Sequence, residues 1–289
     1  MRRILLFAAI GVALAAAIAI TLLAGGGSDV SVLGIGALER RAPARTALMD
    51  RRIREARARG RDLRVDQRWI PYARISPQLR RAVLIAEDDA FFSHGGLDWE
   101  EIRAAMRRNL GAGRIVRGGS TITQQLARNL YLGDQRTLTR KVREMMLARR
   151  MERALTKRRI FELYLNLIEW GDGIFGIEAA AQRHFGVPAS ALDARRSALL
   201  AAVIINPRRF DPAHPDRRIE RRARMILSRM RRRGFIDETE YGVAIGRAAP
   251  ASAAPDSLPA APADSGAAPA LPPPAEPVPA PAAAGSPPG

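Results

Sequence analysis

The sequence predicts a mainly α-helical domain behind one membrane-spanning helix, and three observations carry that prediction. Residues Ile4 to Ala24, "ILLFAAIGVALAAAIAITLLA", run without a charge for the length a helix needs to cross a bilayer. From Trp69 to about Arg233 the apolar residues recur at three- and four-residue spacing, and no alternating strand pattern of useful length interrupts them. Past Arg247 the composition changes to Ala, Pro, Ser and Gly, which cannot build a core.

Taken in order, the charge-free run follows Met1, Arg2 and Arg3. A cleaved leader has a shorter apolar core of roughly 7–15 residues, so an uncleaved anchor is expected. Arg2 and Arg3 favour a cytoplasmic amino terminus with the rest of the chain exported, although Arg40 and Arg41 oppose that bias. Residues 25–36, "GGGSDVSVLGIG", read as a flexible step off the membrane, and "RRIREARARGRDLR" after Asp50 as a basic surface helix or linker suited to anionic lipid. The expected organisation is an anchor at 1–24, a juxtamembrane basic linker at 25–68, a helical domain at 69–247 and an Ala/Pro-rich disordered tail at 248–289.

The chain has 289 residues, 47 Lys+Arg against 29 Asp+Glu, and a formal net charge of +18, which argues for an anionic partner: nucleic acid, phospholipid head groups or a phosphorylated substrate. There is no cysteine, which excludes a disulfide framework and a thiolate zinc site. His94, His184 and His214 lie far apart and form no metal-ligand pair at helical spacing.

Three stretches could carry chemistry. In "AEDDAFFSHGG", a helix continued through the acids would set Glu87 four residues from Phe91. Burial against that ring, with like charge from Asp88 and Asp89, would raise the Glu87 pKa, as suits a carboxylate that must take up a proton; three solvated acids are the plainer reading. In "RGGSTITQQLARNLYL", Gly118 and Gly119 free the backbone, Ser120 or Thr121 can cap a helix, and Gln124 and Gln125 occupy its first turns. Such a helix start suits sugar hydroxyls or phosphate oxygens, or is simply well capped. In "RKVREMMLARRMERAL", Arg140, Glu144, Ala148 and Glu152 share one face with Lys141 beside them, either an ordinary surface pair or cations set for a diphosphate.

Together these stretches resemble a known family. Residues 87–96 fit the Glu-Asp-x-x-Phe-x-x-His-x-Gly motif of the peptidoglycan glycosyltransferases, the glycan-polymerising family shared with the amino-terminal domain of bifunctional penicillin-binding proteins. "GGSTITQQLARNL" resembles its second motif and "RKVREMMLARRME" its third. Residues 157–186 resemble the fourth, with Glu162, Tyr164, Leu165, Asn166, Gly171 and Gly176 in place, and "ALLAAVIINPRRFDPAHP" resembles the fifth. The likeness runs from Trp69 to Arg233, and the chain continues too briefly for a transpeptidase domain, so it looks like the monofunctional form. Arg128 stands where the family usually has Lys, exchanging a point charge for a planar fork, and "IINP" at 204–207 replaces the commoner Leu-Pro-Asn-Pro.

The resemblance implies a lysozyme-like, mainly α fold with a smaller membrane-proximal jaw lobe, whose apolar residues near Leu97 and Trp99 or between Ala112 and Val116 would dip into the bilayer. It implies polymerisation of lipid II, a disaccharide-pentapeptide on undecaprenyl diphosphate, into β-1,4 glycan with inversion. An alcohol nucleophile needs a base, and Glu87 is the expected one, with Glu144 the second catalytic carboxylate, orienting cations. Asp88, Phe91, His94, Ser120, Thr121, Gln124, Gln125, Arg128, Asn129, Arg140, Lys141 and Asn166 are expected at the substrate, with Arg128, Arg140 and Lys141 on the diphosphate. Asp89 is a position the family pattern leaves free. No cofactor is required, and Mg²⁺ or another divalent cation is admissible at the diphosphate. The expected partners are lipid II, the growing lipid-linked chain, membrane lipids and cell-wall synthesis proteins, with no nucleic acid. The expected location is the inner membrane, single-pass, with a periplasmic catalytic domain. A lysozyme-like glycan hydrolase and a catalytically silent membrane-tethered scaffold are the alternatives.

Overall fold

The structure, a computed structural model, describes residues 32–112, 119–132 and 137–247. The expected anchor at 1–24 and the Ala/Pro-rich segment from 248 lie outside the described residues, and no helix among those described is long and apolar enough to cross a membrane. The fold is mainly helical with one small sheet.

The expected linker contains structure of its own. Helix α1 (Val32–Ala37) is followed by α2 (Ala47–Arg57), which Thr46 caps and which buries Leu48, Met49 and Ala56. The apolar side chains among its arginines give it an inner face, so α2 is docked on the domain. Strand β1 (Asp66–Gln67) leads to α3 (Pro77–Glu87), where Pro77 opens the helix and Leu79, Ala82, Val83 and Ile85 face the core. Helix α4 (Trp99–Ala112) follows, and after residues 113–118 come α5 (Ile122–Tyr131), α6 (Leu138–Ala154) and α7 (Lys157–Leu167). A hairpin of β2 (Glu169–Gly171) and β3 (Ile174–Phe175) precedes α8 (Ile177–Phe185), α9 (Ala194–Val203), α10 (Arg217–Arg232) and α11 (Glu238–Ala244).

Threonine or aspartate caps set many of these boundaries. Thr121, Thr137, Thr156, Asp193, Asp216 and Asp237 each accept from a backbone N–H of the turn that follows. Helix α9, "ARRSALLAAV", is buried on most of its surface because α3 and α10 pack on it. On the other side α5 packs on α6 and α7, and α2 rests on α5. The largest fully buried side chains of the core are Trp170, Tyr164, Phe91, Phe161 and Phe175.

The sheet has the order β1-β3-β2. β1 runs parallel to β3, pairing Asp66 with Ile174 and Gln67 with Phe175, while β2 and β3 are antiparallel across Asp172-Gly173. Strands of two or three residues are too short to display alternation, so the periodicity could not reveal them. The Asp-Gly pair was the available hairpin signal, and Gly173 does take a positive φ of 78° there.

Candidate active site

Helix α3 stops at Glu87. The next residue, Asp88, is extended, and Phe91–Ser93 form a separate 3-10 turn. The expected stacking of Glu87 on Phe91 is therefore corrected: the four-residue spacing holds only within an unbroken helix. Phe91 is fully buried, packed against Phe92 and Phe161 with the Lys157 ammonium 4.3 Å from its ring centre.

From the last residue of α3, the Glu87 carboxylate turns into a cleft of about 750 Å³ lined also by Asp88, Ser120, Gln125, Arg128, Arg222 and Arg229. Its two oxygens have different partners. Gln125 Nε2 donates to Oε2 at 3.1 Å, and the Arg222 guanidinium to Oε1 at 3.2 Å. The Glu87 side chain is 12% exposed, and burial raises its pKa, opposed by Gln125, by Arg222 and by the charge of Arg128. The expected direction holds and burial, one of its two expected causes, is the largest, although the burial is not against Phe91. Behind Gln125, the buried Tyr164 hydroxyl donates to the amide oxygen at 3.1 Å, which turns Nε2 toward Glu87. Burial holds the Tyr164 pKa well above its usual value, so this hydroxyl stays a donor.

The three neighbouring acids are thus not equivalent. Asp88 is buried, and it accepts from the first helical N–H of α5, at Ile122, at 2.9 Å and from His94 Nε2 at 2.9 Å. His94 Nδ1 accepts from Gly96 N at 3.2 Å, which assigns the ring proton to Nε2. Gly96 has φ +86°, and a Cβ there would lie 2.8 Å from Glu152 Cγ and 3.3 Å from the Ala148 carbonyl. Its own carbonyl accepts from Thr121 Oγ1 at 2.7 Å, so the first motif is laced to the start of α5. Asp89 is exposed and pairs with Arg233.

Glu144 is buried on α6, and its two oxygens are taken by Arg140 at 2.6 Å and Lys141 at 2.5 Å. Lys141 also donates to Ser120 Oγ at 2.9 Å, at the wall of the cleft. With both oxygens bound, Glu144 aims those two cations.

Several residues expected at the substrate are buried and bonded within the fold. Gln124 is fully buried and closes a capping box with Thr121, accepting from the Thr121 N–H at 3.0 Å. Asn166 is fully buried and bridges Ile70 N, Ile70 O and Glu162 O. Asn129 is buried and, like Phe91 and His94, does not line the cleft. The sequence reading gave Arg222 and Arg229 no part in the site. Their signal was present: Arg222, Met225 and Arg229 form a stripe of three- and four-residue spacing beside the buried stripe Ile219, Ala223, Ile226 and Met230.

Among the described residues, Asp88, His94 and Asp98 are the one group of acids and histidines close enough to share a metal ion. As placed they do not fit one. Asp88 is committed to Ile122 N and His94, and Asp98 Oδ1 accepts from Glu101 N at 2.8 Å.

A buried carboxylate facing a cleft, with guanidinium groups along its walls, is the kind of site that moves a group between polar substrates. Comparison with known proteins narrows this. The transglycosylase family matches residues 55–231. The biosynthetic peptidoglycan transglycosylase of Laribacter hongkongensis is 49% identical over 188 residues, 65% of this chain and 82% of that protein. Those of Nitrosomonas eutropha and Aromatoleum aromaticum are 44% and 46% identical, over 77% and 81% of their lengths. Among crystal structures, penicillin-binding protein 1A of Haemophilus influenzae matches at 22% identity with a TM-score of 0.37, over 64% of this chain and 18% of that one. The chain belongs to the transglycosylase family.

Proposed function

We propose that this chain is a peptidoglycan glycosyltransferase that polymerises lipid II into linear β-1,4 glycan with release of undecaprenyl diphosphate. The observation that carries the reading is Glu87, a cleft carboxylate whose burial raises its proton affinity, held between Gln125 and Arg222 and close to the charge of Arg128. Glu87 takes the proton of the acceptor 4-hydroxyl as that oxygen attacks the donor's anomeric carbon from the face opposite the leaving diphosphate. The diphosphate leaves without a proton because Arg128, with Lys141 aimed by Glu144, balances its charge. A divalent cation, where present, would sit at the diphosphate and add to that charge balance.

Glycan hydrolysis requires a protonated carboxylic acid to serve the leaving sugar. Glu144, the second expected catalytic carboxylate, is bound on both oxygens by Arg140 and Lys141, which disfavours that role for it. The membrane setting is part of the same proposal. The charge-free run at 4–24 anchors the chain once in the inner membrane with the domain in the periplasm. Phe92 before α4, and Trp99 and Met106 on it, are exposed and form the jaw that meets the bilayer. Membrane lipids and other cell-wall synthesis proteins are its neighbours there.

Incubation of the full chain with labelled lipid II, wild type beside Glu87→Gln, tests the reading. Long polymer from the wild type and none from the variant is expected. Equal polymer from both would remove Glu87 from its role, polymer from neither would favour the scaffold, and short sugars released from finished glycan would indicate a hydrolase.

A further inference from the structure

Glu87 is held from two sides: from α5 through Gln125 and from α10 through Arg222. The cations assigned to the leaving diphosphate all stand on the α5–α6 side. A second set stands on α10. Arg229 lines the same cleft and lies seven residues beyond Arg222, on the same face and about 10 Å further along the helix. With Arg232, Arg233 and Asp89 it also lines an adjoining cavity of about 330 Å³.

The arginines at this end of α10 divide by partner. Arg231 is spent on structure, pairing with Glu238 and lying over the Tyr241 ring. Arg233 pairs with Asp89. Neither Arg229 nor Arg232 has an acidic partner among the described residues, and Arg229 is half-buried. Three guanidiniums and one carboxylate around a single cavity leave a local excess of positive charge, which repels itself unless an anion is present. Planar guanidinium forks match phosphate oxygens.

We infer that Arg229 and Arg232, with Arg233, form a second phosphate-binding subsite, which holds the diphosphate of the acceptor. The inference rests on the polymerisation reading and deepens it. In that reaction both substrates carry a lipid diphosphate, so one cluster of cations cannot serve both. Glu87 takes the acceptor's proton, and the acceptor's diphosphate hangs from the far end of its disaccharide. Arg229 stands about 10 Å further along α10 than Arg222, which holds Glu87, so the two arginines are set apart as the two ends of the acceptor's sugar are. Asp89 is the resident counter-ion that the incoming phosphate displaces from Arg233.

The test uses the full chain in uncharged detergent with saturating preformed lipid-linked oligomer as donor, and lipid II titrated as acceptor. For Arg229→Gln/Arg232→Gln the KM for lipid II should rise about tenfold or more, at unchanged KM for the oligomer, with partial recovery in the double Lys variant. An unchanged KM for lipid II, or a loss confined to the donor, overturns the inference. Anionic head groups offer the same chemistry, so vesicles containing phosphatidylglycerol form the second arm. Weakened vesicle binding with an unchanged KM would assign the cluster to the membrane and overturn the subsite. If the double variant melts below the wild type, the exposed Arg232→Gln alone carries the test. If the wild type makes no polymer, the failure belongs to the proposed function. Calorimetric titration with inorganic pyrophosphate then reads the subsite directly, and equal affinity in wild type and double variant overturns it.

Discussion

Glu87 must be charged to accept a proton, yet its surroundings oppose the charge. Burial raises its pKa, while Gln125, Arg222 and the charge of Arg128 pull it back. The acid limb of the polymerisation rate therefore lies above the ordinary glutamate range, because the base becomes active only as pH rises through its raised value. Removing Arg222 takes away a charge and a hydrogen bond that favour the carboxylate, so Arg222→Gln should move the limb to higher pH and lower the rate most in mildly acidic buffer. A pH–rate profile of the variant superimposable on the wild type would show that Arg222 does not tune this group. Tyr164 acts one bond further out by fixing the Gln125 amide, and its own elevated pKa keeps it a donor throughout that range.

Helix α5 shows how an element is joined to the chemistry. Its start is satisfied three times: by the Thr121 hydroxyl, by the Gln124 amide and by the Asp88 carboxylate on Ile122 N. Asp88→Ala leaves a buried N–H unpaired and removes a negative charge from a helix amino terminus, at a cost of about 1–3 kcal/mol. It should also impair turnover, since α5 carries Gln125 and Arg128. Asp89→Ala removes only an exposed ion pair, worth under about 1 kcal/mol. Urea unfolding of both variants checks this, and equal destabilisation would show that Asp88 does not hold the helix. The helical periods, the caps and the residues of the first three motifs were legible in the sequence. The end of α3 at Glu87 was not, since no glycine or proline stands there and tertiary bonds draw Asp88 away. Gln124 and Asn166 looked like binding groups because an amide's type and position do not reveal whether it meets ligand or backbone. The part played by α10 was hidden because Arg222 meets Glu87 across a long stretch of chain, and only the finer 222-225-229 stripe marked it.

At the scale of the whole molecule, α2 ties the start of the described chain to the domain that bears the cleft. Arg52 donates to Glu169 Oε2 at 2.7 Å and to Glu55 at 3.0 Å, and Arg208 joins Glu55 to Asp172 in the β2–β3 turn. The Glu169 side chain is 3% exposed, and burial raises its pKa although Arg52 lowers it. An ion pair this deep gains little net stability, but losing one partner strands the other charge. Arg52→Met should therefore cost about 3–5 kcal/mol, roughly 6–20 °C in Tm for a domain of this size. Arg52→Met/Glu169→Leu should recover most of that loss, because nothing charged is left buried. Because α2 packs on α5, polymerisation should fall and recover with the same pair of substitutions. A double variant that melts as low as the single one would mean that packing around Arg52, rather than the stranded Glu169 charge, holds α2 in place.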